Sequence, residues 1–263
     1  MALSGEEFAK HADAFAVTQA LAFERTNPSS LLSSLHLARD NARQVREQLS
    51  TEVWENLNRL YLRLQPVTMD SIWVHQPARV FREALEDFQA LEGVTYSTLS
   101  HGEGWHFLDL GRHSERAQLI SRLLDIHFGA ALLARPSYFD WMVLLKFCTA
   151  FEPYTKLYTA SVSPEKIAAF LLFDEEFPHS VRFSGHRMCD ALGRVAPGAP
   201  PARRAVVERL AGRLRASVDY GQIDELMGGS SLAEFLAGIT RQSEEIHDAV
   251  YAAFISYGAE AVV

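Results

Sequence analysis

LAFERTNPSSLLSSLH, residues Leu21–His36, returns as LLFDEEFPHSVRFSGH, residues Leu171–His186, at a spacing of 150 residues. Identical pairs are Leu21/Leu171, Phe23/Phe173, Pro28/Pro178, Ser30/Ser180, Ser34/Ser184 and His36/His186, and Glu24/Asp174 and Leu31/Val181 are conservative. Upstream the match continues at an offset of 146, as Glu6/Glu152, Phe8/Tyr154 and Lys10/Lys156, which places the slip in a loop at Ser161–Pro164. Similarity at a fixed spacing is the mark of duplication. The chain therefore reads as one helical domain made of two repeats, a truncated first repeat (1–102) and a second (103–263).

The second copy is preceded by Trp105–Trp141, whose counterpart at that spacing would lie before residue 1. The first repeat is thus expected to lack a helix. Its absence would leave Phe8, Phe15, Phe23 and the Leu31–Leu37 surface exposed or covered by another subunit.

Apolar residues recur at helical spacing almost throughout, as in Val53, Leu57, Leu60 and Leu64 and in Leu119, Leu123 and Ile126, and alternating segments are nearly absent. The fold class is all-α, a duplicated bundle of about ten helices. Helices are expected near 5–24, 29–49, 51–65, 77–99, 104–134, 138–160, 164–175, 178–194, 201–219 and 231–257. Proline at 28, 164 and 178 stands where first helical turns begin, a position at which its missing N–H costs little. Ala196–Pro201, APGAPP, is the one linker-like stretch.

The chain has 263 residues, 48% hydrophobic, and a net charge of −8. It is long enough for a substantial core, has no apolar run long enough to cross a membrane, and lacks the basic surface of a general nucleic-acid binder. No signal peptide is recognisable, and Cys148 and Cys189 form no disulfide or metal framework. A cytoplasmic protein without a cofactor, with scope for homo-oligomerisation, is the expectation.

Two charged clusters carry the candidate chemistry. Arg39, Arg43 and Arg46 share one helix face around Asn41, and need anions among them, either a carboxylate such as Glu47 or a ligand's phosphate or carboxylate. Arg112, Glu115 and Arg116 share a second face beside Leu119 and Leu123, which implies a half-buried Glu115 clamped between arginines or a ligand contact. The candidate anion-binding set is Arg39, Asn41, Arg43, Glu103, Arg112, Glu115 and Arg116, converging on one polar pocket. If the chain is an enzyme, Glu103 or Glu115 would be its acid/base, although two arginines should hold Glu115 too acidic to serve as a base. The Glu-x-x-His spacings Glu103/His106, Glu176/His179 and Glu244/His247 resemble di-iron ligand pairs, but Pro178 breaks the middle one and no metal is assigned.

The segments NPSSLLSSLHLARDNARQVREQLSTEVWENLNRLYL (Asn27–Leu62), EGWHFLDLGRHSERAQLISRLLD (Glu103–Asp125) and FLLFDEEFPHSVRF (Phe170–Phe183) resemble the bacterial alpha-E domain family, over essentially the whole chain. Members of that family usually begin with a first copy of the helix seen here at Trp105–Asp125, and this chain departs from them in lacking it. The resemblance implies a partnership with ATP-grasp and transglutaminase-like proteins in a peptide- or amide-forming pathway. It leaves three roles open: an accessory or scaffold protein, an enzyme acting on an acidic peptide or amide, and a helical interaction module, which an exposed apolar patch in place of a polar pocket would distinguish.

Overall fold

The computed structural model describes residues 14–73, 77–133, 136–159, 161–228 and 231–255. Phe8 and the other residues before 14 lie outside that range. Among the described residues the regular structure is entirely helical. The chain divides into two compact units, Met1–Ser100 and His101–Val263.

In the first unit, α1 (Ala14–Thr18) runs into a π-helical turn (Gln19–Phe23), followed by α2 (Leu31–Gln44), a 3-10 turn (Arg46–Gln48), α3 (Thr51–Leu64), α4 (Met69–Trp73) and α5 (Pro77–Thr98). Val53, Leu57, Leu60 and Leu64 repeat at helical spacing along α3, and all four are buried. Leu57, Leu60 and Leu64 join Phe23, Leu32, Leu35, Met69, Ile72 and Ala84 in one core. α3 packs on both α2 and α5. Phe23 is buried and Phe15 half-buried, contrary to the expected exposure; they are held by Phe81 and Trp73, with ring centroids 6.0 and 5.3 Å apart.

The second unit begins with α6 (Glu103–Leu133), α7 (Tyr138–Phe147), α8 (Phe151–Tyr158) and α9 (Pro164–Phe173). It continues with α10 (Val181–Val195), a 3-10 turn (Ala196–Gly198), α11 (Pro201–Tyr220), α12 (Ile223–Leu226) and α13 (Ser231–Val250), which ends in a π turn (Tyr251–Ile255). α6 and α11 each pack on both α10 and α13, so these four helices close a bundle around Leu124, Met188, Leu192, Leu214 and Ile239. Gly185 allows α10 to approach α11: a Cβ there would sit 3.2 Å from Val218 Cγ2.

The helix expected at 138–160 is two helices. α7 ends with Thr149 at φ 52°, a left-handed position usually given to glycine. Thr149 N–H donates to the Lys146 carbonyl at 3.1 Å and Ala150 N–H to that of Leu145 at 2.7 Å, which closes the last turn as a Schellman motif.

The two units use the same local devices 150 residues apart. Helices end at Phe23 and Phe173, each followed by an extended acidic residue, Glu24 or Asp174, whose carboxylate accepts nearby backbone N–H groups. Ser30 and Ser180 then cap α2 and α10, accepting the N–H of Ser33 and Phe183. Each hydroxyl satisfies a donor that the first helical turn would leave open. The 3-10 turns at Arg46–Gln48 and Ala196–Gly198 and the starts of α3 and α11 keep the same spacing.

Candidate functional site

Arg39, Asn41 and Arg43 stand on α2 in the first unit, whereas Glu103, Arg112, Glu115 and Arg116 stand on α6 in the second. Arg39 is fixed by side chains of α3: its Nε donates to Asn58 Oδ1 at 2.8 Å, and its guanidinium lies 4.6 Å from the Tyr61 ring centroid and 5.8 Å from that of Trp54. Arg46 approaches the same Trp54 ring at 5.7 Å and donates to the Leu49 carbonyl. Aromatic faces thus take the place of the anions expected among these arginines. Arg43 is exposed and pairs loosely with Asp40 at 3.9 Å, not with the expected Glu47, while His36 approaches Asp40 at 3.3 Å. Asn41 is exposed.

On α6 the register differs from the expected one. The buried stripe is Leu110, His113, Ala117, Ile120 and Leu124, with Asp109 beside it, so Glu115 and Leu119 fall on the open side. Glu115 is therefore no buried clamp. Glu103, in the first turn, is also exposed. Arg116 donates to the Pro178 carbonyl at 3.3 Å, and Arg112 lies over Trp105 at 5.9 Å.

The buried acid is Asp109, which sequence reasoning missed. Its Oδ2 accepts from Arg187 Nη2 of α10 at 2.8 Å, and its Oδ1 is 3.4 Å from His113 Nε2, one turn along α6. Burial pushes this carboxyl up, but the N–H of His113 and the positive charge of Arg187 and Arg112 outweigh burial and hold it below the usual range. Burial pushes His113 the other way, below its usual value, against the pull of Asp109 and with the help of Arg116 and Arg187. A neutral His113 donating from Nε2 fits this, because its Nδ1 is buried without a hydrogen-bond partner and a proton there would go unpaired. A second polar junction links α10 to α11: His186 Nε2 lies 2.5 Å from Asp219 Oδ1, and Arg215 Nε lies 3.2 Å from Oδ2.

Among the cavities beside these groups are two with largely apolar walls. One of about 310 Å³ in the first unit is lined by Arg25, Leu32, His36, Leu37, Tyr61 and Gln65. The other, about 410 Å³ in the second unit, is largely apolar, between Phe107, Leu110, Ile246, Val250 and Phe254. Glu244 of the Glu244/His247 spacing faces Arg122 at 3.4 Å, and among the described residues no three His, Cys, Asp or Glu side chains gather as metal ligands. Burial pushes the Cys148 thiol up to about 12 and the Cys189 thiol to about 11, which makes both poor nucleophiles. Among the described residues no helix is long and apolar enough to cross a membrane.

Comparison with known proteins places these features in a family. The chain is 25% identical over 245 residues to an uncharacterised protein of Mycobacterium bovis and to one of Mycobacterium tuberculosis, and 24% identical to a protein of another M. tuberculosis strain. In each case the match covers 88% of this chain and 27% of the relative, so the chain spans about a quarter of the curated relatives it matches. No solved structure matches. The Alpha-E family model, described as a predicted alpha-helical domain with a conserved ER motif, matches residues 1–255, and the chain belongs to that family.

Proposed function

We propose that this protein is an accessory or scaffold component of an ATP-grasp-dependent system that forms peptide or amide bonds. It docks the ligase or its acidic substrate and leaves the chemistry to its partner. The observation that carries this reading is the use made of the side chains. Arg39, Arg46, Asp109, His113 and Arg187 are committed to contacts that fix one helix to another or brace one turn. Large apolar side chains, by contrast, stand out from α6 and α7: Leu119, Ile126, Phe139 and Phe147 are 58–76% exposed. Polar groups committed to internal contacts and apolar groups left outside suit a docking surface better than a reaction centre.

Two further observations support it. The matched region makes up 27% of its longer relatives, as expected of a module that works beside other domains. The shared caps and turns 150 residues apart fit two copies of one helical unit, an arrangement that multiplies surface without adding a reactive group.

An ATP-grasp ligase activates a carboxylate as an acyl phosphate, which an amine then displaces. The exposed Arg43 can hold a carboxylate or phosphate by paired hydrogen bonds. The test is capture of the ATP-grasp protein of the same genome by the tagged chain, compared with Phe139→Glu and Phe147→Glu variants. Retention by the wild type and loss in both variants, with helicity unchanged, is the expected outcome. Equal retention by all three moves the docking surface elsewhere, and no retention by any removes the scaffold role.

A further inference from the structure

One junction of the second unit carries more than its turn requires. In the first unit the turn after Phe23 is closed by its own side chains: Thr26 Oγ1 donates to Glu24 Oε1 at 2.9 Å, and Asn27 Nδ2 to the Ala20 carbonyl at 2.9 Å. In the second unit Asp174 Oδ1 accepts the N–H groups of Glu176 and Phe177 at 3.0 and 2.7 Å, which closes the turn by itself. There the positions 150 residues after Thr26, Asn27 and Ala20 hold Glu176, Phe177 and Phe170. Phe170 and Phe177 are buried and stack with ring centroids 4.8 Å apart. They floor a groove of about 440 Å³ walled by Pro153 and Leu157 of α8 and by Pro178, all within the second unit. Lys156, one helical turn after Pro153, also lines it, as does Glu176, and both are exposed. Among the described residues neither of these two side chains has a hydrogen-bond or ion-pair partner, and they do not pair with each other.

We propose that this groove binds a short apolar peptide, of dipeptide size, as its zwitterion: Glu176 receives the terminal ammonium, Lys156 the terminal carboxylate, and the Phe170/Phe177 floor an apolar side chain. An ammonium only donates and a carboxylate only accepts, so one unpaired group of each kind on a single groove matches a ligand that carries both. A ligand with negative charge alone meets Glu176, and one with positive charge alone meets Lys156, so each is disfavoured by a like charge. Because Lys156 and Glu176 stand too far apart to pair, the charges they read must stand apart as well. In a dipeptide a peptide unit separates them, whereas a free amino acid carries both on one carbon. Asp174, two residues before Glu176 and also in the lining, strengthens the acidic end. The volume lies within the range of small-ligand pockets, and the two prolines give walls with little freedom to lose on binding. Exposed charges contribute modestly, so Lys156 and Glu176 set orientation and selectivity while the aromatic floor supplies the apolar contact. The site stands apart from the docking role and does not rest on it.

The test is calorimetric titration of the full chain with leucyl-leucine, with N-acetyl-leucyl-leucine, which lacks the ammonium, and with leucyl-leucinamide, which lacks the carboxylate. Saturable one-to-one binding of leucyl-leucine is expected, weakened about five- to tenfold by either cap. Glu176→Gln should bind leucyl-leucine and its acetylated form alike, and Lys156→Met should bind leucyl-leucine and its amide alike. Both positions are exposed, so helical content should not change in either variant. Absence of saturable binding by the wild type, caps without effect, or variants that discriminate as the wild type does would each overturn the proposal. No ligase takes part in the titration, so a negative result leaves the docking role untouched.

Discussion

Asp109 keeps its charge in the protein interior because His113 and Arg187 replace the water it loses. Asp109→Ala should lower stability by about 2–4 kcal/mol, less than a wholly enclosed pair would lose because Arg187 is itself partly exposed. Equilibrium urea unfolding measures it, and a loss within error of zero would remove Asp109 as a helix clamp. The two depressed pKa values also fix the sign of the pH dependence. His113 binds a proton less readily folded than unfolded, so its contribution is complete above 6.5 and is lost as pH falls below that value. Asp109 contributes above 3.8, and its share is lost at still lower pH. Stability should therefore decline in two stages on acidification, and His113→Gln should abolish the first; an unchanged first stage would mean that another group titrates there. This centre was hidden in the sequence because α6 carries apolar residues on both sides. Leu119 and Ile126, which suggested the inner face, are 58% and 66% exposed, while the true inner face includes an acid and a histidine. The arginines of α2 were legible as a cluster, but their partners were not: Asn58, Trp54 and Tyr61 come from another helix.

At the scale of elements, helical periodicity and capping residues made most of the architecture readable. Ser30, Ser50, Ser163 and Ser180 cap the helices whose starts they mark. The break between α7 and α8 was not readable, because the usual signal for a Schellman ending is glycine and this chain has Thr149. A β-branched residue in the left-handed region carries strain. Thr149→Gly should relieve it and raise stability by about 1 kcal/mol, net of the greater freedom glycine gains in the unfolded chain. A thermal melt of the variant decides this: a lowered midpoint would show that the Thr149 hydroxyl, which donates to the Cys148 carbonyl at 2.7 Å, contributes more than the strain costs. Gly185 shows how one position diverges between the units. It lies against Val218 on α11, whereas residue 35, 150 positions earlier, is a buried leucine.

Across the whole molecule, the two units share their caps, turns and helix order from Phe23 and Phe173 onward, yet α5 buries only Ala84 and Thr95 among its described residues where α13 buries a stripe from Leu232 to Val250. Which faces stand open, as at Leu119, Ile126, Phe139 and Phe147, could be read only from three-dimensional packing. Docking through such surfaces, with no reaction of its own, is the role proposed for this Alpha-E protein. The most direct test is the rate of amide-bond formation by the ATP-grasp ligase of the same genome, measured with and without this chain, alongside ATP hydrolysis by the chain alone. The expected result is no hydrolysis by the isolated chain and a ligase rate that rises when it is added. Turnover of an acidic peptide or amide by the isolated chain, lost in Glu115→Gln or Arg43→Ala without loss of helicity, would contradict it, as would a ligase that runs at full rate without the chain.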